Sequence, residues 1–153
     1  MNLNSLYSEI ITEHNRSNHN KHSVEGANAI EKGHNPSCGD EIQLELKIRD
    51  GVIEDAGYTG VGCAVSQASA SIMIDLIKGK TLLEAKQLAD TFLGMIKREI
   101  TDEKQLEVLE DALALKNISN MPSRVKCAVL AWHTLKEILE NREKEKRKYD
   151  RRR

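Results

Sequence analysis

The sequence predicts an α+β fold: a small antiparallel sheet with helices packed on one face, in a single domain. Three observations carry this. From Glu41 to Arg49, "EIQLELKIR" alternates apolar and polar, placing Ile42, Leu44, Leu46 and Ile48 on one side, as a half-buried strand does. Asp50-Gly51 follows, a pair suited to a tight hairpin turn, and "VIEDAGYTG" supplies the return strand. On either side of this hairpin the apolar period is helical, so the order reads helix, sheet, helices.

Each element has its own signal. Leu6, Tyr7, Ile10, Ile11 and His14 recur at helical spacing, which predicts a short amphipathic helix over 4–14. Residues 15–40 hold Asn, His, Ser and Gly in excess with little periodicity and read as a long loop, the kind that in a compact domain often carries function. After Gly60-Val61-Gly62-Cys63, "AVSQASASIMIDLIKG" predicts a helix with a glycine stop. Its small residues are expected to let it pack closely on the sheet while its N-terminus presents Cys63. Thr81 and Glu84 fit a capping box that opens a helix to about Ile100. Asp102–Leu115 gives a further helix, with Leu106, Leu109 and Leu113 in register. "KNISNMPS" reads as a loop, and the last helix begins near Arg124, turning Val129, Leu130, Leu135, Ile138 and Leu139 inward. Residues 142–153 contain eight Lys/Arg and three acidic residues, so the domain is placed at 1–141 and 142–153 is a charged helical extension or tail.

The totals narrow the function. A chain of 153 residues is most simply one domain, and with few aromatics its core must be mainly Leu, Ile, Val and Ala. A net charge of -1 argues against nucleic acid as a partner. No apolar run approaches the roughly 18 residues of a membrane helix, and the polar start Met1-Asn2-Leu3-Asn4 is no signal peptide. A cytoplasmic protein without a membrane partner is expected. Three cysteines, an odd number, argue against a disulfide framework and leave metal binding, redox work or nucleophilic chemistry open.

Each cysteine sits at a boundary. Cys38 lies in "HNPSCGD", a Pro/Gly-kinked loop with Asp40 two residues on; Cys63 follows two glycines at a strand-to-helix junction; Cys127 falls in the first turn of the last helix, behind Pro122. Helix N-termini favour thiolate over thiol. If the three meet at one end of the sheet, they and Asp40 make a four-ligand set for tetrahedral Zn²⁺. The spacing has no C-x-x-C knuckle, so three unrelated buried cysteines remain the competing reading.

"NPSCGD", "GVGCAVSQASAS" and "RVKCAVLAWHTL", in that order, resemble the three cysteine segments of the U-type iron–sulfur cluster assembly family, the IscU and NifU N-terminal type. The resemblance runs from the first helix to about Glu140, and Cys38, Asp40, Cys63 and Cys127 fall on the family's metal-ligand positions. Three departures point to one branch. Lys126 stands where the scaffolds typically have histidine, Met121-Pro122-Ser123-Arg124-Val125-Lys126 is a poor version of their chaperone-docking segment, and an insertion falls near Asp102–Leu115. All three are similar to the SufU-like branch, which binds zinc and accepts sulfur from a cysteine desulfurase.

The resemblance implies a zinc-dependent sulfurtransferase working with a desulfurase of the SufS type and with downstream iron–sulfur assembly proteins. In that reading a desulfurase histidine displaces Cys38 from the metal, and the freed Cys38 thiolate takes the persulfide sulfur. Cys63, Cys127 and Asp40 keep the metal, and Arg124 steers the persulfide or holds the loop. The alternatives are a [2Fe-2S] scaffold on the same cysteines, holding iron instead of zinc, and a structural zinc module that only binds partners. His14, His19, His22 and His34 are read as solvated loop residues, with His34 the exception if any, because it borders the site. His133, six residues after Cys127, is nearly opposite it on a helix and is not expected at the metal.

Overall fold

The computed structural model describes residues 3–37 and 39–151. The elements run α1 (Leu3–Ser17), β1 (Ala29–Asn35), β2 (Asp40–Arg49), β3 (Val52–Val61), α2 (Ala64–Ile77), α3 (Leu82–Ile96), the single turn α4 (Glu103–Leu106), a 3₁₀ segment (Glu107–Asn120) and α5 (Pro122–Arg151). The three strands form one antiparallel sheet in the order β1-β2-β3. The hairpin follows from Asp50 and Gly51, which both take positive φ, at 53° and 75°, as a primed two-residue turn requires.

The period-two pattern does what it predicts. Ile42, Leu44, Leu46 and Ile48 of β2 meet Ile53, Ala56 and Tyr58 of β3 on one face, all buried, and the helices cover that face. α2 lies against β3, α1 and α5, so its small residues serve helix–helix packing as much as approach to the sheet. Its buried hydroxyls are satisfied across that packing. Ser69 Oγ donates to the Ala128 carbonyl at 2.6 Å and accepts from Trp132 Nε1 at 2.9 Å. Trp132 stacks flat on Phe92 of α3, 4.1 Å between centroids. The capping box also forms as expected, Thr81 and Glu84 exchanging backbone-to-side-chain bonds at 3.1 Å each.

Four expectations need correction. The stretch 15–40 is not all loop, because α1 continues to Ser17 and 29–35 is the third strand. β1 lacks an alternating apolar face because its inner side carries Ala29, Glu31, Gly33 and Asn35: a Cβ at Gly33 would collide with Thr134 Oγ1 and come within 3.1 Å of Leu130 Cδ1, so glycine lets α5 lie directly on the strand. α3 ends at Ile96 instead of near Ile100, and Arg98 turns the chain at φ 61°. Asp102–Leu115 is not one α-helix. After one turn it tightens to 3₁₀, broken at Glu110 (φ 47°), while Leu106, Leu109 and Leu115 still face the core. The segment 116–123, read as a loop, is the end of the 3₁₀ segment and the start of α5. That earlier start puts Cys127 in the second turn of its helix, further from the N-terminal N–H groups than the sequence suggests.

Candidate metal centre

Three of the expected ligands come together at one end of the sheet. Asp40 opens β2, Cys63 is the residue capping the N-terminus of α2, and Cys127 lies on α5. One oxygen of Asp40 and the two sulfurs all lie within 4.8 Å of one another. Asp40 and Cys127 are fully buried and Cys63 is half-buried. The fourth expected ligand, Cys38, lies outside the described residues, although Asn35 and Asp40, which bracket its loop, pair directly across β1 and β2.

The buried carboxylate is held from three sides. Asp40 Oδ1 accepts from the Cys63 N–H at 2.8 Å and the Ser66 hydroxyl at 3.2 Å, and Oδ2 faces the Asn35 amide at 3.4 Å. The Asn35 amide also lies 3.9 Å from Cys127 Sγ, so it touches two ligands at once. Gly62 makes this possible: a Cβ there would strike the Ser66 hydroxyl and sit 2.9 Å from Asp40 Oδ1. Sequence reasoning passed over Asn35 and Ser66. Asn35 stands in the quoted "HNPSCGD", and Ser66 sits one helical turn after Cys63, a spacing that signals contact on an N-terminal turn.

The surroundings act on the thiol. Burial pushes the Cys63 pKa up, and the Asp40 charge adds to that. Hydrogen bonds from the Ser66 N–H, the Ser66 hydroxyl and Cys127 outweigh both, leaving it below the ordinary thiol value. Two sulfurs and a carboxylate are the donors that a borderline-soft divalent ion such as zinc accepts, and thiolates equally suit iron–sulfur chemistry.

The other candidates fall as follows. Arg124 is exposed, one turn before Cys127, and Lys126, next to Cys127, is exposed too. His34 and His133 are exposed and outside the cluster, and His22 is exposed with Nδ1 against the Ser23 carbonyl. His14 is not a solvated loop residue: it is a buried residue of α1 bonded to Ser71. His19 is an exposed turn residue, as expected, and is bonded to Asp75; both partners lie on α2.

A three-stranded antiparallel sheet backed by helices, with a thiol–carboxylate cluster at one end, defines a small α+β protein with a candidate metal centre. More particularly, the chain belongs to the NifU-like N-terminal domain family, whose sequence profile matches residues 6–148. It is 43% identical over 134 residues to "Iron-sulfur cluster assembly scaffold protein IscU" of Thermotoga maritima, covering 88% of this chain and 92% of that one. It is 37% identical over 135 residues to "Zinc-dependent sulfurtransferase SufU" of Bacillus subtilis, covering 88% and 89%. Its fold is similar to the crystal structure of a SUF-system scaffold protein from Fervidobacterium islandicum, with a TM-score of 0.81 at 35% identity over 90% of this chain and 99% of that one. The chain is thus a homologue of iron–sulfur cluster assembly proteins. Among the described residues no helix is long and apolar enough to cross a membrane.

Proposed function

We propose that this chain is a zinc-dependent sulfurtransferase of iron–sulfur cluster biogenesis, with Cys38 as the sulfur acceptor. The observation that supports it best is the meeting of Asp40, Cys63 and Cys127 within 4.8 Å of one another. Cys38 is two residues from Asp40, and two residues of chain span at most about 7 Å, within reach of that cluster. Cys38, Asp40, Cys63 and Cys127 would hold the ion. Zinc, when bound, keeps sulfur ligands as thiolates without oxidising them.

The residues have distinct parts. Cys63 and Cys127 are fixed on two packed helices and anchor the site. Asp40, already engaged by three donors, offers a hard oxygen and so a weaker bond to a borderline-soft ion. Cys38, on a loop containing Pro36 and Gly39, is the ligand to be released. Its thiolate attacks the outer sulfur of a persulfide on a SufS-like cysteine desulfurase. The S–S bond of the donor breaks, the desulfurase cysteine leaves as thiolate, and a persulfide forms on Cys38 with no net oxidation. The exposed cation of Arg124, one turn from Cys127, would attract the persulfide anion. Val61 and Met121, exposed apolar residues on the segments that deliver Cys63 and Cys127, suit contact with a protein partner. Downstream assembly proteins would then take the sulfur.

The test is a desulfurase assay with Cys38→Ser. Stimulation of alanine release is expected to fall to the level of desulfurase alone, and retention of the wild-type level sinks the acceptor assignment. Similarity to the Thermotoga scaffold protein favours a second reading, a cluster scaffold, with a [2Fe-2S] cluster on the same cysteines. Lys126 beside Cys127 weighs against it, since an exposed lysine is a poor cluster ligand at that position. Freshly purified protein is expected to be colourless, with zinc at the cysteine site; two irons with visible charge-transfer bands would establish the scaffold.

A further inference from the structure

We propose that His14, His19 and Asp75 form a second divalent-metal site, of the nitrogen–oxygen class that zinc and cobalt fill, separate from the cysteine cluster. His14 comes from α1, His19 from the segment just after it, and Asp75 from the last turn of α2. His19 Nε2 lies 3.2 Å from both Asp75 oxygens, and His14 Nε2 lies 3.9 Å from Asp75 Oδ2. One ligand atom from each of the three lies within 4.8 Å of the others. Ligands at about 2.0–2.1 Å from a tetrahedral ion are roughly 3.3 Å apart, so only a small contraction separates this arrangement from a coordinating one. Twelve residues of helix divide Asp75 from Cys63, about 18 Å at 1.5 Å per residue, so the two clusters cannot share an ion.

The outer groups are those a histidine–carboxylate site needs. Both rings are fixed through Nδ1 by a hydroxyl: His14 to Ser71 Oγ at 2.7 Å and His19 to Ser17 Oγ at 2.8 Å. That leaves both Nε2 atoms turned to the same carboxylate, the arrangement by which outer hydrogen bonds orient metal-bound imidazoles. Asp75 is steadied by the Asn20 amide, which donates to Oδ1 at 2.9 Å and to the Ser71 carbonyl at 2.9 Å. Asn20 is fully buried, and its amide nitrogen also lies 3.1 Å from His19 Nε2, so one side chain touches both Asp75 and His19. Three protein ligands, two of them half-exposed, leave a coordination position open to solvent.

The experiment is equilibrium dialysis of the full chain, stripped with a chelator, against CoCl₂. The intense thiolate-to-cobalt absorption counts only the cysteine site, so ions bound beyond it report the second. The expected result is one equivalent of Co²⁺ above the number that the thiolate absorption tracks. That extra equivalent is expected to be lost in His19→Gln and in Asp75→Asn, with the thiolate absorption unchanged. His19 and Asp75 are half-exposed, so both variants are expected to fold, which a thermal melt checks. If the wild type binds no ion beyond the thiolate-tracked one, or both variants bind as many as the wild type, the three residues are only a hydrogen-bonded latch between α1 and α2, and the proposal fails. Because the count above the thiolate band does not depend on which metal the cysteines hold, this outcome is independent of the sulfur-transfer reading.

Discussion

At the scale of single residues, the cysteine cluster depends on a position with no side chain. Gly62 abuts both Asp40 Oδ1 and the Ser66 hydroxyl, so a methyl group there must displace the carboxylate or its donor. Gly62→Ala is therefore expected to weaken metal binding about 10–100-fold, the range seen when the groups orienting a metal's ligands are disturbed. Competition with a chromogenic chelator measures this. The chemical types at the site were legible in the sequence, since Asp40, Cys63 and Cys127 are unusual residues at element boundaries. Their neighbours were not. Asn35 matters because of a strand register, and His14, His19 and Asp75 meet across more than 50 residues of chain, a closeness that no local pattern encodes.

At the scale of elements, β1 and α5 are joined through Gly33. Replacing it with valine forces a side chain into Thr134 and Leu130. Gly33→Val is expected to lower stability by about 1–3 kcal/mol, as overpacking does, with a matching fall in denaturant midpoint at unchanged slope. The composition of β1 explains why it escaped the sequence reading: a strand whose inner face is Ala29, Glu31, Gly33 and Asn35 has no apolar alternation, and Ile30 points outward, 51% exposed. β2 and β3 were legible because their inner face is all side chain. The segment after Asp102 kept its apolar register while changing its helical form, so periodicity located its buried leucines but not its geometry.

At the scale of the whole molecule, one core joins the sheet, α2, α3, the 3₁₀ segment and α5 as far as Ile138 and Leu139. From Glu143 to Lys148 α5 continues as exposed charge, and its Glu143 makes an ion pair to Lys86 at 3.9 Å with both groups about half-exposed. Such surface pairs contribute about 0–1 kcal/mol. A chain ended after Asn141 is therefore expected to melt within a few degrees of the full chain and to keep its metal, by calorimetry and elemental analysis; a collapse in either would move the domain boundary. The lone indole of the chain gives these comparisons a built-in readout. Trp132 is sealed between Phe92 and Ser69, five residues along the same helix from Cys127, so its emission reports without any attached label whether the junction of three helices beside the cysteine cluster is closed or wet.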